Sequence, residues 1–276
     1  EQEMYLNEAI TLLESFRQNS KQLSEIFDLE QLSKLMAAKA VLGSIEFDWR
    51  DLKFYYNPVT KLLEPIGREV HIDLNQSQIN SWWADLSPRN FSHSMDQKYF
   101  LSLLFNDRSF FEMYLKDLSR MSKKNYIRGI IGKNSEEFKK YEKVLNQNYP
   151  GENIFSLGYI EKYRSEIEKT LNPIQGVNLN FIEGKKNSLL LNASNLQRLP
   201  VQIIGIKEKD EDVSVFKKPI YLKGKLLNKA TKLELIKIDC LSENLCNKEN
   251  LDSLKIVYKI LGQTKHRTAT IAFWSN

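Results

Sequence analysis

Phe54-Tyr55-Tyr56-Asn57-Pro58-Val59-Thr60-Lys61-Leu62-Leu63-Glu64-Pro65-Ile66-Gly67 has the composition of a β-hairpin. Three consecutive aromatic residues form a strand-like run, because such side chains fit a pleated surface. Asn57-Pro58-Val59-Thr60 is turn chemistry: Pro presets φ, and Asn hydrogen-bonds its own backbone two residues on. Leu62-Leu63-Glu64-Pro65-Ile66 then returns as a second short strand. The hairpin, near residues 52–66, sits inside a region whose other apolar residues recur at helical spacing.

Upstream, Ile10, Leu12, Leu13 and Phe16 mark a helix over Met4–Asn19. Asp28 is an N-cap with Gln31 three positions on, followed by Leu32, Leu35, Met36 and Leu42 on one face, and Gly43 ends that helix. Downstream, Phe100, Leu103 and Leu104 belong to a helix that breaks at Asn106-Asp107. Asp107 caps the next, which carries Phe110, Phe111, Tyr114, Leu115 and Leu118. Two further amphipathic helices are predicted near Ser135–Gln147 and Leu157–Leu171, ended by Asn172-Pro173.

From about Val177 the apolar period changes from 3.6 to 2. Short runs recur at Leu179–Ile182, Ser188–Leu191, Val201–Ile206, Val213–Phe216, Leu233–Ile238, Leu254–Leu261 and Thr268–Trp274, with Gly, Asn, Lys and Asp between them. Seven short strands in a region of this length are the pattern of an antiparallel, Ig-like β-sandwich. The predicted fold class is α+β: a mainly helical unit with a hairpin at 1–175, then a sandwich at 176–276.

The 276 residues include 42% hydrophobic and 27% charged residues, a globular composition that excludes a disordered tail or a collagen-like rod. No apolar run is long enough to span a bilayer. The first residue is Glu1, and the expectation is a chain processed from, or part of, something longer. Forty basic against thirty-five acidic residues give a formal charge of +5, but the signs alternate, as where Lys139, Lys140 and Lys143 sit among Glu136, Glu137 and Glu142. A nucleic-acid partner is not expected, since no basic stripe or recognition module is present. Cys240 and Cys246 could close a small disulfide or stay as thiols. Zinc is not expected, because His71, His93 and His266 lack ligand spacing to them.

The chemistry-bearing segment is Glu46-Phe47-Asp48-Trp49-Arg50-Asp51, just before the hairpin, with Glu69 just after it. The ends of a hairpin meet, so Asp48 or Asp51 is expected near Glu69. Crowded carboxylates repel unless a cation or proton lies between them, and oxygen donors of this kind suit Mg²⁺. The plainer alternative is a solvated loop in which Asp51 pairs with Arg50 or Lys53, and Glu69 with Arg68.

Phe27-Asp28-Leu29 at the helix start, Phe54 to Thr60, Leu63-Glu64-Pro65-Ile66-Gly67, and Phe110 with Tyr114-Leu115 after the Asp107 break together resemble the kinase-like family of spore coat protein H (CotH). The resemblance covers roughly 1–172 and is strongest over 27–69. It implies an atypical kinase-like fold of which these helices are the C-terminal lobe, the nucleotide-gripping lobe lying upstream. It implies ATP-dependent phosphorylation of Ser with Mg²⁺ or Mn²⁺, a protein substrate or coat partner, and an extracytoplasmic or spore-surface location. In that scheme Asp48 or Asp51 orients the attacking hydroxyl and accepts its proton, and Glu69 is the metal-binding carboxylate. The family commonly has Asp where this chain has Gly67-Arg68-Glu69, and Asn where it has Asp51. Asp73 is a weaker second ligand. A non-catalytic surface or coat scaffold, docking to partners or polysaccharide, is the alternative.

Other features have ordinary readings. Arg50-Asp51-Leu52-Lys53 is similar to the catalytic-loop core of common protein kinases, but Asn57 falls one position late and no Asp-Phe-Gly follows. Trp82-Trp83 is a split pair, one ring buried and the other half exposed, or a partner or substrate platform, His93 a solvent-facing or capping residue, and Asn192-Ala193-Ser194 a glycosylation pattern relevant only in a secretory setting.

Overall fold

The computed structural model describes residues 2–44, 52–67, 95–150, 157–173, 176–185, 188–208, 213–225, 230–239 and 248–273. Their contacts divide the chain between Asn172 and Pro173 into two compact units. The protein is mixed α+β.

Among the described residues the first unit holds seven helices and one hairpin: α1 (Gln2–Arg17), α2 (Leu29–Leu42), β1 (Lys53–Asn57), β2 (Leu62–Ile66), α3 (Met95–Asn106), α4 (Arg108–Met121), α5 (Lys124–Lys133), α6 (Ser135–Asn148) and α7 (Leu157–Leu171). The core is α2 on α4. Leu32 and Met36 of α2, and Phe110, Tyr114, Leu115 and Leu118 of α4, are fully buried, each contributing about 1.5–3 kcal/mol of apolar transfer. A part-buried strut crosses the same interface: Ser33 Oγ donates to Asp117 Oδ2 at 2.7 Å, while the more exposed Arg120 holds Oδ1 at 2.8 Å.

Capping fixes where these two helices begin. Asp28 accepts from the Gln31 backbone at 3.0 Å and from its side chain at 2.9 Å. Asp107, at the break between α3 and α4, accepts from Phe110 N at 2.8 Å. Each satisfies an otherwise orphaned helical N–H, about 1 kcal/mol apiece. Gly43 ends α2 in the left-handed region, φ 70°. An aromatic chain then ties the layers, Phe27 stacking with Phe16 at 5.0 Å and Phe54 at 5.1 Å, and Phe16 with Phe100 at 5.3 Å. In α1, Leu12 and Phe16 face the core, whereas Ile10 is exposed.

At the far end, Arg164 of α7 donates to Glu161 at 2.8 Å, to Glu168 at 2.7 Å and to the Ser122 carbonyl after α4 at 3.2 Å. One guanidinium thus joins two helices. Helix α5 is not among the helices that the sequence predicts, which pass from α4 to Ser135.

The second unit is one nearly closed seven-stranded sheet in the order β6-β5-β8-β9-β3-β4-β7. Its strands are β3 (Val177–Lys185), β4 (Ser188–Asn195), β5 (Val201–Glu208), β6 (Ser214–Leu222), β7 (Glu234–Asp239), β8 (Leu254–Ile260) and β9 (Arg267–Ala272). Alternation sets the inner face: Leu189, Leu191 and Ala193 of β4, and Ile256, Tyr258 and Ile260 of β8, are buried. Strand β5 is buried at every position from Val201 to Ile206 and bulges between Ile203 and Gly205. A side chain at Gly205 would meet the Ser214 carbonyl, which explains the glycine there.

The expectation of a wholly antiparallel sandwich needs one correction. Five pairings are antiparallel, but β3 and β9 run parallel through Leu179↔Ile271 and Asn180↔Ala272. Parallel neighbours need a long connection. The first and last strands of the unit have one, because all its other strands lie between them. Buried Asn195 closes one end: its Nδ2 donates to the Leu199 carbonyl at 2.8 Å and the Lys223 carbonyl at 3.1 Å, and its Oδ1 accepts from Gln197 N at 2.9 Å.

Candidate functional site

The hairpin is bonded to the start of α2 through the backbone of Leu63. Leu63 N–H donates to the Ile26 carbonyl at 2.8 Å, and Asp28 N–H to the Leu63 carbonyl at 3.0 Å. Leu63 itself is 1% exposed. The turn is closed by its own residues. Asn57 Oδ1 accepts from Val59 N at 2.9 Å, its Nδ2 donates to Glu64 Oε1 at 2.6 Å, and Lys61 takes φ 58°. Glu64 and Asn57 are therefore committed to the closed end of the hairpin. Asn57 has a turn role, in keeping with discounting the catalytic-loop match.

The open end pairs Lys53 with Ile66. On one side the described chain begins at Leu52, which is buried; on the other it stops at Gly67. Ser44, the last described residue after α2, is also buried, at 1% exposure. Ser44 and Leu52, both buried in the first unit, bracket in sequence residues 45–51, which carry Asp48 and Asp51. Glu69 follows Gly67 by two positions. Asp48, Asp51, Glu69 and Asp73 lie outside the described residues, as do Arg50, Arg68, His71, Trp82-Trp83, His93, Cys240 and Cys246.

The described residues add two groups to this end of α2 that the sequence reading passed over. Lys39 is 2% exposed, and Ser44 Oγ is buried with no hydrogen-bond partner among the described residues. A buried ammonium persists only where it is paired or hydrogen-bonded. The signal was present: Lys39 follows Leu32, Leu35 and Met36 at i+7, i+4 and i+3, placing a cation on the apolar stripe of its own helix.

Elsewhere, titration shifts follow local pairing or burial. The Arg164 guanidinium holds the Glu161 carboxyl below its ordinary value, through a hydrogen bond first and charge second. Burial raises the Tyr114 phenol, and burial, then Glu8, raises that of Tyr56. Among the described residues no three His, Cys, Asp or Glu side chains gather closely enough to hold a metal ion. An open concavity of about 680 Å³ lies between the α1–α2 connection and the α3–α4 break. Its carboxylates are occupied, Glu25 accepting from Gln22 N at 3.0 Å and Asp107 capping α4. In the second unit Arg267 donates to the Pro173 carbonyl at 2.7 Å, and its Nε and Nη2 are buried with no partner among the described residues. Ser194 is buried within β4, between β3 and β7.

No protein-family model, curated protein or solved structure matches this chain.

Proposed function

We propose that the first unit is the C-terminal lobe of a CotH-type kinase-like fold, and that its chemistry is metal-dependent phosphoryl transfer from ATP to a protein hydroxyl. The supporting observation is the anchoring of the hairpin. Its closed end is occupied by Asn57 and Glu64, and its open end leads on one side to Asp51 and on the other to Glu69. Carboxylate oxygens are the donors that Mg²⁺ and Mn²⁺ prefer, so this residue set suits the ion. When bound, the metal neutralises phosphate charge.

The protein's own residues have distinct tasks. Asp48 or Asp51 accepts the proton of the attacking hydroxyl as oxygen bonds to the γ-phosphorus and ADP departs. Glu69 holds the metal. Lys39, buried at the end of α2, supplies positive charge close in sequence to Glu46, Asp48 and Asp51. The second unit is read as Ig-like: what supports this is that, within its single sheet, the runs β3-β4-β7 and β9-β8-β5-β6 have the A-B-E and G-F-C neighbour order of that fold, with one strand added beyond C.

A melting experiment on the full-length protein tests this. Mg²⁺ATP or Mn²⁺ATP at about 100 times its Kd stabilises by about 2.7 kcal/mol, and Glu69→Ala abolishes the shift. Absence of any shift with either metal refutes the catalytic reading. It would favour the second reading, a non-catalytic surface or coat scaffold. That reading has an observation of its own: Arg68-Glu69 stands where the family has an Asp.

A further inference from the structure

Positive charge is concentrated in the second unit. Residues 173–276 contain seventeen Lys and Arg against ten Asp and Glu, a net +7, whereas residues 1–172 are net −2. Within the sheet the charge is again one-sided. The consecutive strands β6-β5-β8-β9 carry Lys217, Lys218, Lys207, Lys255, Lys259 and Arg267, but a single acid, Glu208. The ion-paired lysines of this unit lie elsewhere, Lys185 with Glu183 on β3 at 3.4 Å and Lys237 with Asp239 on β7 at 3.8 Å. The five on β6, β5 and β8 make no ion pair among the described residues.

Register places three of them on one face. Lys207 and Lys255 are direct cross-strand partners, with Thr270 of β9 next in the row. Lys259, four residues beyond Lys255, leaves the same face. Glu208 pairs with Leu254, one residue out of phase, and so belongs to the other face. Like charges directly opposite destabilise a sheet, and no described carboxylate of these four strands relieves this pair. Lys217 and Lys218 stand at the rim. There β6 advances five residues from Val215 to Ile220 while β5 advances two, from Gly205 to Ile203, which leaves residues 216–219 as a bulge.

We propose that this face binds a linear acidic polysaccharide, whose anionic groups meet Lys207, Lys255 and Lys259 and whose hydroxyls meet the exposed Thr268 and Thr270. Charge complementarity makes the ligand a polyanion. The cations are all lysines, point charges suited to separate anionic groups carried on a hydroxyl-rich chain. Arg267, the one arginine of these strands, pairs with Tyr258 on the other face and is held to the Pro173 carbonyl. The described part of the lysine face thus lacks the bidentate fork with which nucleic acids are commonly read. An acidic peptide adding as a strand would need the β6 edge, where the bulge and Pro219 interrupt the backbone ladder.

The test is biolayer interferometry of the full chain on immobilised polygalacturonate. It contains neither metal nor ATP, so its outcome is independent of the chemistry assigned to the first unit. Binding at about 50 mM NaCl, absent on neutral dextran, should weaken at least about tenfold by about 200 mM as counterions are released. Lys207→Gln/Lys255→Gln/Lys259→Gln should bind on the order of 100-fold more weakly, about fivefold for each ammonium in close contact. Arginine at the same three positions keeps the charge and should keep binding. Lys34→Gln/Lys169→Gln/Lys237→Gln removes as much charge, but from lysines already paired with Glu30, Glu166 and Asp239, and should leave binding intact. No binding to polygalacturonate, equal binding to dextran, or equal weakening of the two glutamine variants overturns the proposal. So does displacement by duplex DNA or polyglutamate, at matched charge, as effective as that by soluble polygalacturonate.

Discussion

Substituting Gly43 by alanine should be among the most damaging single changes in the first unit. Gly43 caps α2 with φ 70°, a left-handed conformation that costs a residue with a Cβ about 1–2 kcal/mol. A Cβ there would also overlap the ring of Tyr163, which is 3% exposed in α7. Overpacking of that kind costs roughly 1–3 kcal/mol. Together the expected loss is about 2–5 kcal/mol, a large fraction of the roughly 5–15 kcal/mol that holds a typical domain. In urea, with a slope of about 2 kcal/mol per molar, the midpoint should fall by about 1–2.5 M. Two further variants divide the loss. Gly43→Asn tolerates the left-handed backbone but retains the overlap, whereas Gly43→Ala in a Tyr163→Leu background retains the backbone cost and relieves the overlap. The two sites should therefore couple in a double-mutant cycle. A Gly43→Ala protein within about 0.5 kcal/mol of wild type, or a cycle without coupling, would refute the reasoning.

Three other outcomes are expected. Asp107→Ala should cost about 1 kcal/mol in a urea melt through loss of the α4 cap, while Asp107→Asn, which still accepts, should cost much less. Asn195→Asp should destabilise the second unit near neutral pH, because a carboxylate would face the Leu199 and Lys223 carbonyls; acidification should recover part of the loss, and a penalty independent of pH counts against the assignment. The Glu161 carboxyl is held below its ordinary value of 4.5, so its stabilising contribution is complete above that pH and is lost as pH falls through the depressed folded value. Glu161→Gln should accordingly flatten the decline in melting temperature below about pH 4.5, and an unchanged acid profile would show that its pairing with Arg164 contributes nothing.

Local chemistry made much of this architecture readable. Asp28 with Gln31, Gly43, and the Asp107 break are caps whose physics lies within a few residues, and each appears where expected. The hairpin was legible because Asn57-Pro58 dictates a turn, and the seven strands of the second unit followed from short β-branched and aliphatic runs between turn residues. Helix α5 was not, because its ten residues include Gly129, Gly132 and three isoleucines, all weak helix formers. The parallel β3–β9 pair was invisible for another reason: nothing local at Leu179 specifies Ile271. At the candidate site Asp48, Asp51 and Glu69 are readings of the sequence that lie outside the described residues, while buried Lys39 and Ser44 depended on which face α2 turns inward.

The parallel register also has a consequence for synthesis. Leu179 is among the first residues of its unit to leave the ribosome, and its neighbour Ile271 is among the last. Strands β3 and β4 can form a local ladder early, and β5 and β6 another. Strand β9, which joins the two through β3 and β8, must wait until nearly the whole unit has been translated. High sequence separation between contacts slows folding, and half-built sheets expose sticky edges meanwhile. The nascent unit thus passes through a stage in which Leu179 and Ile256 belong to ladders not yet joined, and removal of β9 would leave it there permanently.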